Sequence, residues 1–136
     1  MFTLRDFTYT HPDLMLLLED LLQREPIFHR PAFPTHVSPS YWEVGASGRR
    51  YGREFILQHL AQNPPVDAAT AGWLTSDHAL QQLCPDTYLL TYTLQQGNRI
   101  TRRSTIWQST PTGWQVLFHQ GTIVTTDHDD IAPPES

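Results

Sequence analysis

The sequence predicts an α+β domain in which N-terminal helices pack on a curved antiparallel sheet. Three observations predict it. A leucine stripe with helical spacing occupies residues 14–22. Four strand-like runs follow residue 73, each separated from the next by a tight-turn signal. The 136 residues are 39% hydrophobic and include four Trp, five Tyr and six Phe, enough for one core that buries roughly two-thirds of the unfolded surface.

The first helix opens at Thr10-His11-Pro12-Asp13. Thr10 is the expected cap, Pro12 suits the first turn, and Asp13 favours the positive end of the helix dipole. Leu14, Leu17, Leu18, Leu21 and Leu22 line one face, and Pro26 ends or kinks the run. Pro26, Pro31, Pro34 and Pro39 make residues 26–40 a stretch of broken helical turns and loop. Tyr41-Trp42-Glu43-Val44 reads as a short strand, 45–48 as a glycine-rich bend, and 52–63 as a second helix with Ile56 and Leu60 on one face and Pro64-Pro65 as its stop. Residues 73–83, 87–96, 99–109 and 114–124 then read as a β-meander. Residues 1–124 form one domain on this reading, and 125–136, acidic and carrying Pro133-Pro134, a loose tail.

The turns determine which side chains share a face, because side chains alternate along a strand. Gly97-Asn98 suits a two-residue primed turn that pairs Gln96 with Arg99, Tyr92 with Arg103 and Tyr88 with Trp107. Pro111 cannot take positive φ, so the next turn is expected to be type I with a glycine bulge at Gly113. That register sets Thr105 opposite His119 and Trp107 opposite Leu117. One face then carries Tyr88, Leu90, Tyr92, Leu94, Arg103, Thr105, Trp107, Leu117 and His119. The other carries Leu89, Thr91, Thr93, Arg102, Ser104, Ile106, Trp114, Val116, Phe118 and Gln120. The first suits a ligand pocket and the second a subunit interface.

Composition narrows the function classes. Nine Lys+Arg against fourteen Asp+Glu give a net charge of −5, so neither nucleic acid nor an anionic membrane is an expected partner. All the cations are Arg, which excludes a lysine Schiff base and a P-loop lysine. Cys84 is the lone cysteine, so an intrachain disulfide and a cysteine-rich zinc site are out. No signal peptide is visible at the start and no run approaches the ~20 apolar residues of a membrane span. A cytoplasmic protein without a cofactor or metal is expected.

Three segments carry a family resemblance: 41–51 (YWEVGASGRRY), 103–107 (RSTIW) and 113–122 (GWQVLFHQGT). Together they resemble the nuclear transport factor 2-like (NTF2-like) superfamily, nearest its DUF4440 / SnoaL-like branch. The resemblance runs from about Leu14 to Val124, and the proline-dense stretch departs from it. It implies a cone-shaped α+β barrel, often a homodimer, with a pocket between sheet and helices. The superfamily holds dehydratases, isomerases, cyclases and epoxide hydrolases beside non-catalytic binding domains, so the fold alone does not assign an activity.

The candidate site residues follow. Glu43 lies between apolar neighbours, either as a general base or as a carboxylate paired with Arg103 or with the amides of the 45–48 loop. Arg103 suits bidentate capture of a carboxylate or carbonyl, or is the structural partner of Glu43. His119 is either a proton shuttle or a histidine bonded across the sheet to Thr105. Tyr88, Tyr92 and Trp107 form pocket walls or core. A second acid beside Arg103 would be Asp77 or Asp86. Arg49, Arg50 and Arg53 form a basic cluster that reads better as a solvated patch than as a phosphate site, and Asp127-His128-Asp129-Asp130 lies in the tail. Neither Cys84 nor Ser47 has the setting of a nucleophile. The leading expectation is a homodimer, formed through the sheet, that binds a small molecule. A proton-transfer enzyme using Glu43 or His119 as base is the alternative, and a structural dimerisation module with a filled core is the third reading.

Overall fold

In the computed structural model, residues 2–3, 12–25, 36–62 and 71–125 are described. Strand β1 (Phe2–Thr3) precedes helix α1 (Pro12–Arg24). Strand β2 (Val37–Val44), strand β3 (Arg50–Gly52) and helix α2 (Arg53–Gln62) follow. The meander is β4 (Leu74–Cys84), β5 (Thr87–Gln96), β6 (Arg99–Thr110) and β7 (Gly113–Ile123). The seven strands form one sheet in the order β1-β4-β5-β6-β7-β2-β3. The expected N-cap Thr10, the stretch 26–35, Pro64-Pro65 and the acidic tail beyond Thr125 lie outside the described residues.

Helix α1 buries the predicted stripe. Leu14, Leu18 and Leu21 are in the core, Leu17 and Leu22 pack against it, and Met15 and Leu16 face outward. Asp20 and Arg24 pair one turn apart at 3.2 Å on the polar side. Helix α2 buries Ile56, with Leu57 and Leu60 beside it.

The Gly97-Asn98 turn forms as expected. Gly97 alone takes positive φ (63°), the primed turn with glycine first, and Gln96↔Arg99, Tyr92↔Arg103 and Tyr88↔Trp107 pair. The second hairpin departs in one detail. Thr110 pairs with Gly113 and Trp107 with Val116, and the extra residue is absorbed further along, between Ile106 and Trp107 opposite Leu117. The bulge therefore sits inside the strand and not at Gly113. Thr105 still faces His119, but Trp107 faces Val116 and not Leu117. Trp114 and Val116 consequently move to the pocket side: Val116 is fully buried, and Trp114 packs edge-on against Tyr88 at 5.8 Å.

Two further corrections concern β2 and β3. Strand β2 begins at Val37 and runs through Pro39, where a loop was expected. Its pairing with β7 is parallel, so the sheet is not wholly antiparallel. Between Val37↔Val116 and Trp42↔Phe118 the register shifts. Pro39, which lacks an N–H, falls in that irregular stretch, where the ladder does not require a donor. Strand β3 is only Arg50-Tyr51-Gly52, too short and polar to read from periodicity, and it hairpins back on β2 through the 45–48 bend, where Gly45 N–H donates to the Arg49 carbonyl at 2.9 Å.

Candidate functional site

Along β2, Tyr41 and Glu43 point to the helix side, whereas Trp42 meets Phe118 on the outer side at 4.6 Å. The parallel register sets Glu43 beside His119, and the meander sets His119 beside Thr105 and Arg103 beside Tyr92 and Gly121. Four strands thus bring Glu43, Arg103, His119 and Tyr92 to one area of the inner face. Glu25, which directly follows α1, completes it.

Glu25 is the organising group. Its Oε1 accepts the Tyr92 hydroxyl at 2.6 Å and the Thr105 hydroxyl at 2.8 Å, and its Oε2 accepts the Trp107 indole N–H at 2.7 Å. Burial raises its pKa from 4.5 to about 7, although the three hydrogen bonds and the Arg103 charge act in the opposite direction. Burial, then the Glu25 charge, hold the Tyr92 hydroxyl well above its usual pKa.

The hydrogen-bond directions beyond Glu25 follow from chemistry. Arg103 only donates, so its Nη1–H, 3.3 Å from His119 Nε2, makes that nitrogen the acceptor. The imidazole proton is then on Nδ1, which donates to Thr105 Oγ1 at 2.7 Å, and Thr105 passes its own proton donation to Glu25. The assigned chain runs Arg103 to His119 to Thr105 to Glu25, with every donor aimed at the carboxylate.

Arg103 is half-buried. Its Nε donates to Thr101 Oγ1 at 2.8 Å, and burial lowers its pKa. Gly121 leaves room for the guanidinium: a Cβ there would meet Arg103 Cζ at 3.1 Å and Nη1 at 3.2 Å. Among the described residues no carboxylate lies within ion-pair reach of Arg103, and its Nη2 makes no hydrogen bond. Glu43 pairs with neither Arg103 nor the 45–48 amides. Its Oε1 accepts the Tyr41 hydroxyl at 2.8 Å. Burial raises the Glu43 pKa, against the Tyr41 bond and the charges of Arg103 and His59. Burial, then Glu43, in turn push up the Tyr41 hydroxyl. From β3 and α2, Tyr51 stacks on Phe55 at 5.0 Å and Phe55 on His59 at 6.4 Å, so a short aromatic ladder ends at His59, which acts on the Glu43 carboxyl.

Of the six residues the sequence selects, Glu43, Arg103, His119 and Tyr92 are gathered here. Trp107 is fully buried, and it and Tyr92 spend their polar atoms on Glu25, so neither is a bare wall. Tyr88 lies four residues from Tyr92 on β5, about 13 Å along the strand, and accepts from Gln82 Nε2 at 3.3 Å. Asp77 holds Arg102 at 3.0 Å and Thr93 at 2.8 Å on the outer side, and Asp86 is in the exposed β4–β5 turn, so neither is a second acid for Arg103. Cys84 is exposed and donates to Asp86. No group of three or more potential metal ligands occurs among the described residues. Sequence reasoning missed Glu25. The signal was present: Leu14, Leu18, Leu21 and Glu25 fall on one helical stripe at spacings of four, three and four, so an acid continues the buried face.

The fold is shared with several solved structures. An NTF2-like protein from Cytophaga hutchinsonii superposes with a TM-score of 0.58 at 12% identity, covering 85% of this chain and 99% of that one. A protein of the DUF3225 family from Pectobacterium atrosepticum, of unknown function, gives 0.62 at 14% identity, over 83% and 89%. An NTF2-like protein of unknown function in nutrient uptake from Rhodospirillum rubrum gives 0.57 at 15% identity, over 82% and 98%. The chain therefore has the NTF2-like α+β fold. No protein-family model matches it, and no curated protein matches it in sequence.

Proposed function

We propose that this chain is a small-molecule-binding NTF2-like domain whose ligand presents a carboxylate to Arg103, with Glu43 beside it. One observation carries the reading. Arg103 is a half-buried cation fixed on two sides by neutral acceptors, Thr101 and His119, with no further partner for Nη2 and no contacting carboxylate among the described residues. A desolvated guanidinium gains most from an anionic, bidentate partner. The setting is proposed to be cytoplasmic, and the domain to dimerise through the outer sheet face. That face exposes Trp42 and sets half-buried Leu89, Thr91, Ile106 and Phe118 in adjoining strands. The three quoted sequence segments support a proposed position nearest the DUF4440 / SnoaL-like branch.

A second reading, proton transfer, is favoured at Glu43 over His119. The Glu43 pKa is raised by burial and only Oε1 is committed, whereas both His119 ring nitrogens are engaged.

The test is titration with acetate and benzoate, followed by amide shifts in β6 and β7. Losing a charged hydrogen bond costs about 1.5–3 kcal/mol, so Arg103→Gln is expected to weaken binding at least about tenfold. Equal affinity in wild type and Arg103→Gln, or no perturbation of those strands, would overturn the reading.

A further inference from the structure

Glu25 is fully buried, yet only three hydrogen bonds separate it from the cation at the proposed binding site. The path is Glu25–Thr105 at 2.8 Å, Thr105–His119 at 2.7 Å and His119–Arg103 at 3.3 Å. We infer that the Arg103 site takes up its ligand as an anion together with one proton, and that Glu25 stores the proton. The ligand class is then the small carboxylic acids, bound as carboxylate plus proton. This rests on the reading of Arg103 as a carboxylate site and adds to it the fate of the charge.

The electrostatic argument comes first. The groups facing Glu25 among the described residues are Tyr92 from β5, Arg103 from β6, His119 from β7 through Thr105, and Tyr41 from β2, with Glu43 beyond it. On its own helix, Asp20 and Arg24 neutralise each other at 3.2 Å. From α2, His59 acts on Glu43. Arg103 is thus the positive charge that favours ionised Glu25, against full burial. A carboxylate seated on Arg103 cancels that attraction and leaves only the three hydrogen bonds to oppose burial. Glu25, already balanced near neutrality with a pKa of about 7, then takes a proton from the solvent.

The hydrogen-bond chain supplies a route. With the ligand absent, Arg103 Nη1–H covers His119 Nε2. A ligand carboxylate competes for that guanidinium edge and uncovers the nitrogen. A proton entering at Nε2 lets Nδ1–H pass to Thr105 Oγ1, and the Thr105 hydroxyl proton pass to Glu25 Oε1. The imidazole gains a proton at Nε2 and loses one at Nδ1, and the Thr105 hydroxyl gains one and loses one. The inner chain ends reversed with its two bonds kept: Glu25 donates to Thr105, and Thr105 to His119 Nδ1, while Nε2–H, no longer an acceptor for Arg103, faces the ligand. Tyr92 and Trp107 still hold the carboxyl in place.

The first test needs no ligand. Glu25 is titrated by carboxyl carbon NMR in wild type and in Arg103→Gln, which mimics the neutralised site. The Glu25 midpoint is expected near 7 in wild type and about one unit higher in the variant. An unchanged midpoint overturns the inference whatever the protein binds. The second test is calorimetry with benzoate at pH 7 in buffers of different ionisation enthalpy. Wild type is expected to take up about half a proton per bound anion, and Glu25→Gln none. Above pH 7 the wild-type affinity falls, by no more than about tenfold in all for a one-unit shift, because the bound state holds the proton that the free state has lost. Binding without uptake, or uptake kept in Glu25→Gln, overturns this inference and leaves the binding site standing. If Arg103→Gln shifts Glu25 but no carboxylate binds, the proposed function fails and its ligand fails with it.

Discussion

Glu25 and Glu43 face the same side of one sheet, and burial raises the pKa of both, but they are held in different ways. Glu25 accepts three donors from three side chains on two strands. Glu43 accepts one, from its near neighbour Tyr41. A carboxylate whose oxygens are already occupied has little to offer a ligand. It ties the end of α1 to the middle of β5 and β6. A carboxylate with an uncommitted oxygen, near a cation with an uncommitted nitrogen, can still bind something. Satisfied valence separates the anchor from the site here, and depth of burial alone does not.

The widest separation between the two comes from truncation. Glu25→Ala leaves the Tyr92, Thr105 and Trp107 donors unpaired in the interior, at about 1–3 kcal/mol each with partial relaxation. A loss on the order of 4 kcal/mol is expected in urea denaturation. Glu43→Ala is expected to cost far less, and equal losses would erase the distinction.

Acidity gives the next effect. The folded-state pKa of Glu25 is raised from 4.5 to about 7, so between those values the native state holds more protons than the unfolded chain. The stability contribution is full below about pH 4.5 and is lost as pH rises through about 7. At about 1.4 kcal/mol per unit, the loss is on the order of 3 kcal/mol. Denaturation curves at pH 5 and pH 8 measure it, and in Glu25→Gln this part of the slope should vanish.

Gly121→Ala sharpens the other side of the comparison. The new methyl displaces the guanidinium, which is the mobile end of its side chain, so stability falls by only about 1–2 kcal/mol while carboxylate affinity drops about tenfold. Unchanged affinity would show that the flat seat of Arg103 is unimportant. The smallest expected effect is that of Tyr41→Phe. It removes a bond that holds the Glu43 pKa down, so the Glu43 midpoint rises and stability changes by about 1 kcal/mol.

Much of this was legible in local chemistry. Gly97-Asn98 specified a two-residue turn, and with it the Tyr92–Arg103 and Tyr88–Trp107 pairs. Pro111 and Gly113 announced a one-residue offset, which set His119 opposite Thr105. What turn chemistry does not specify is where along the ladder the offset is taken up, and that error misplaced Trp114 and Val116. The parallel seat of β2 against β7 joins segments about seventy residues apart, a pairing that no periodicity encodes. Glu25 was overlooked because Pro26 marks a helix end, and a charge at a helix end is usually solvated. The leucine spacing was the better guide.

The extra residue opposite Trp107 and Ile106 has a consequence for chain length. Elsewhere in the β6–β7 ladder, dropping one residue from one strand would exchange the inward and outward sets beyond that point and turn His119 and Gly121 away from Arg103. At Leu117 the same deletion only straightens the strand, because Trp107↔Val116 and Ile106↔Phe118 are in phase without it. The meander thus carries one dispensable position two residues from the histidine that needs its place most, and sequences of this architecture can differ in length there without disturbing the polar cluster.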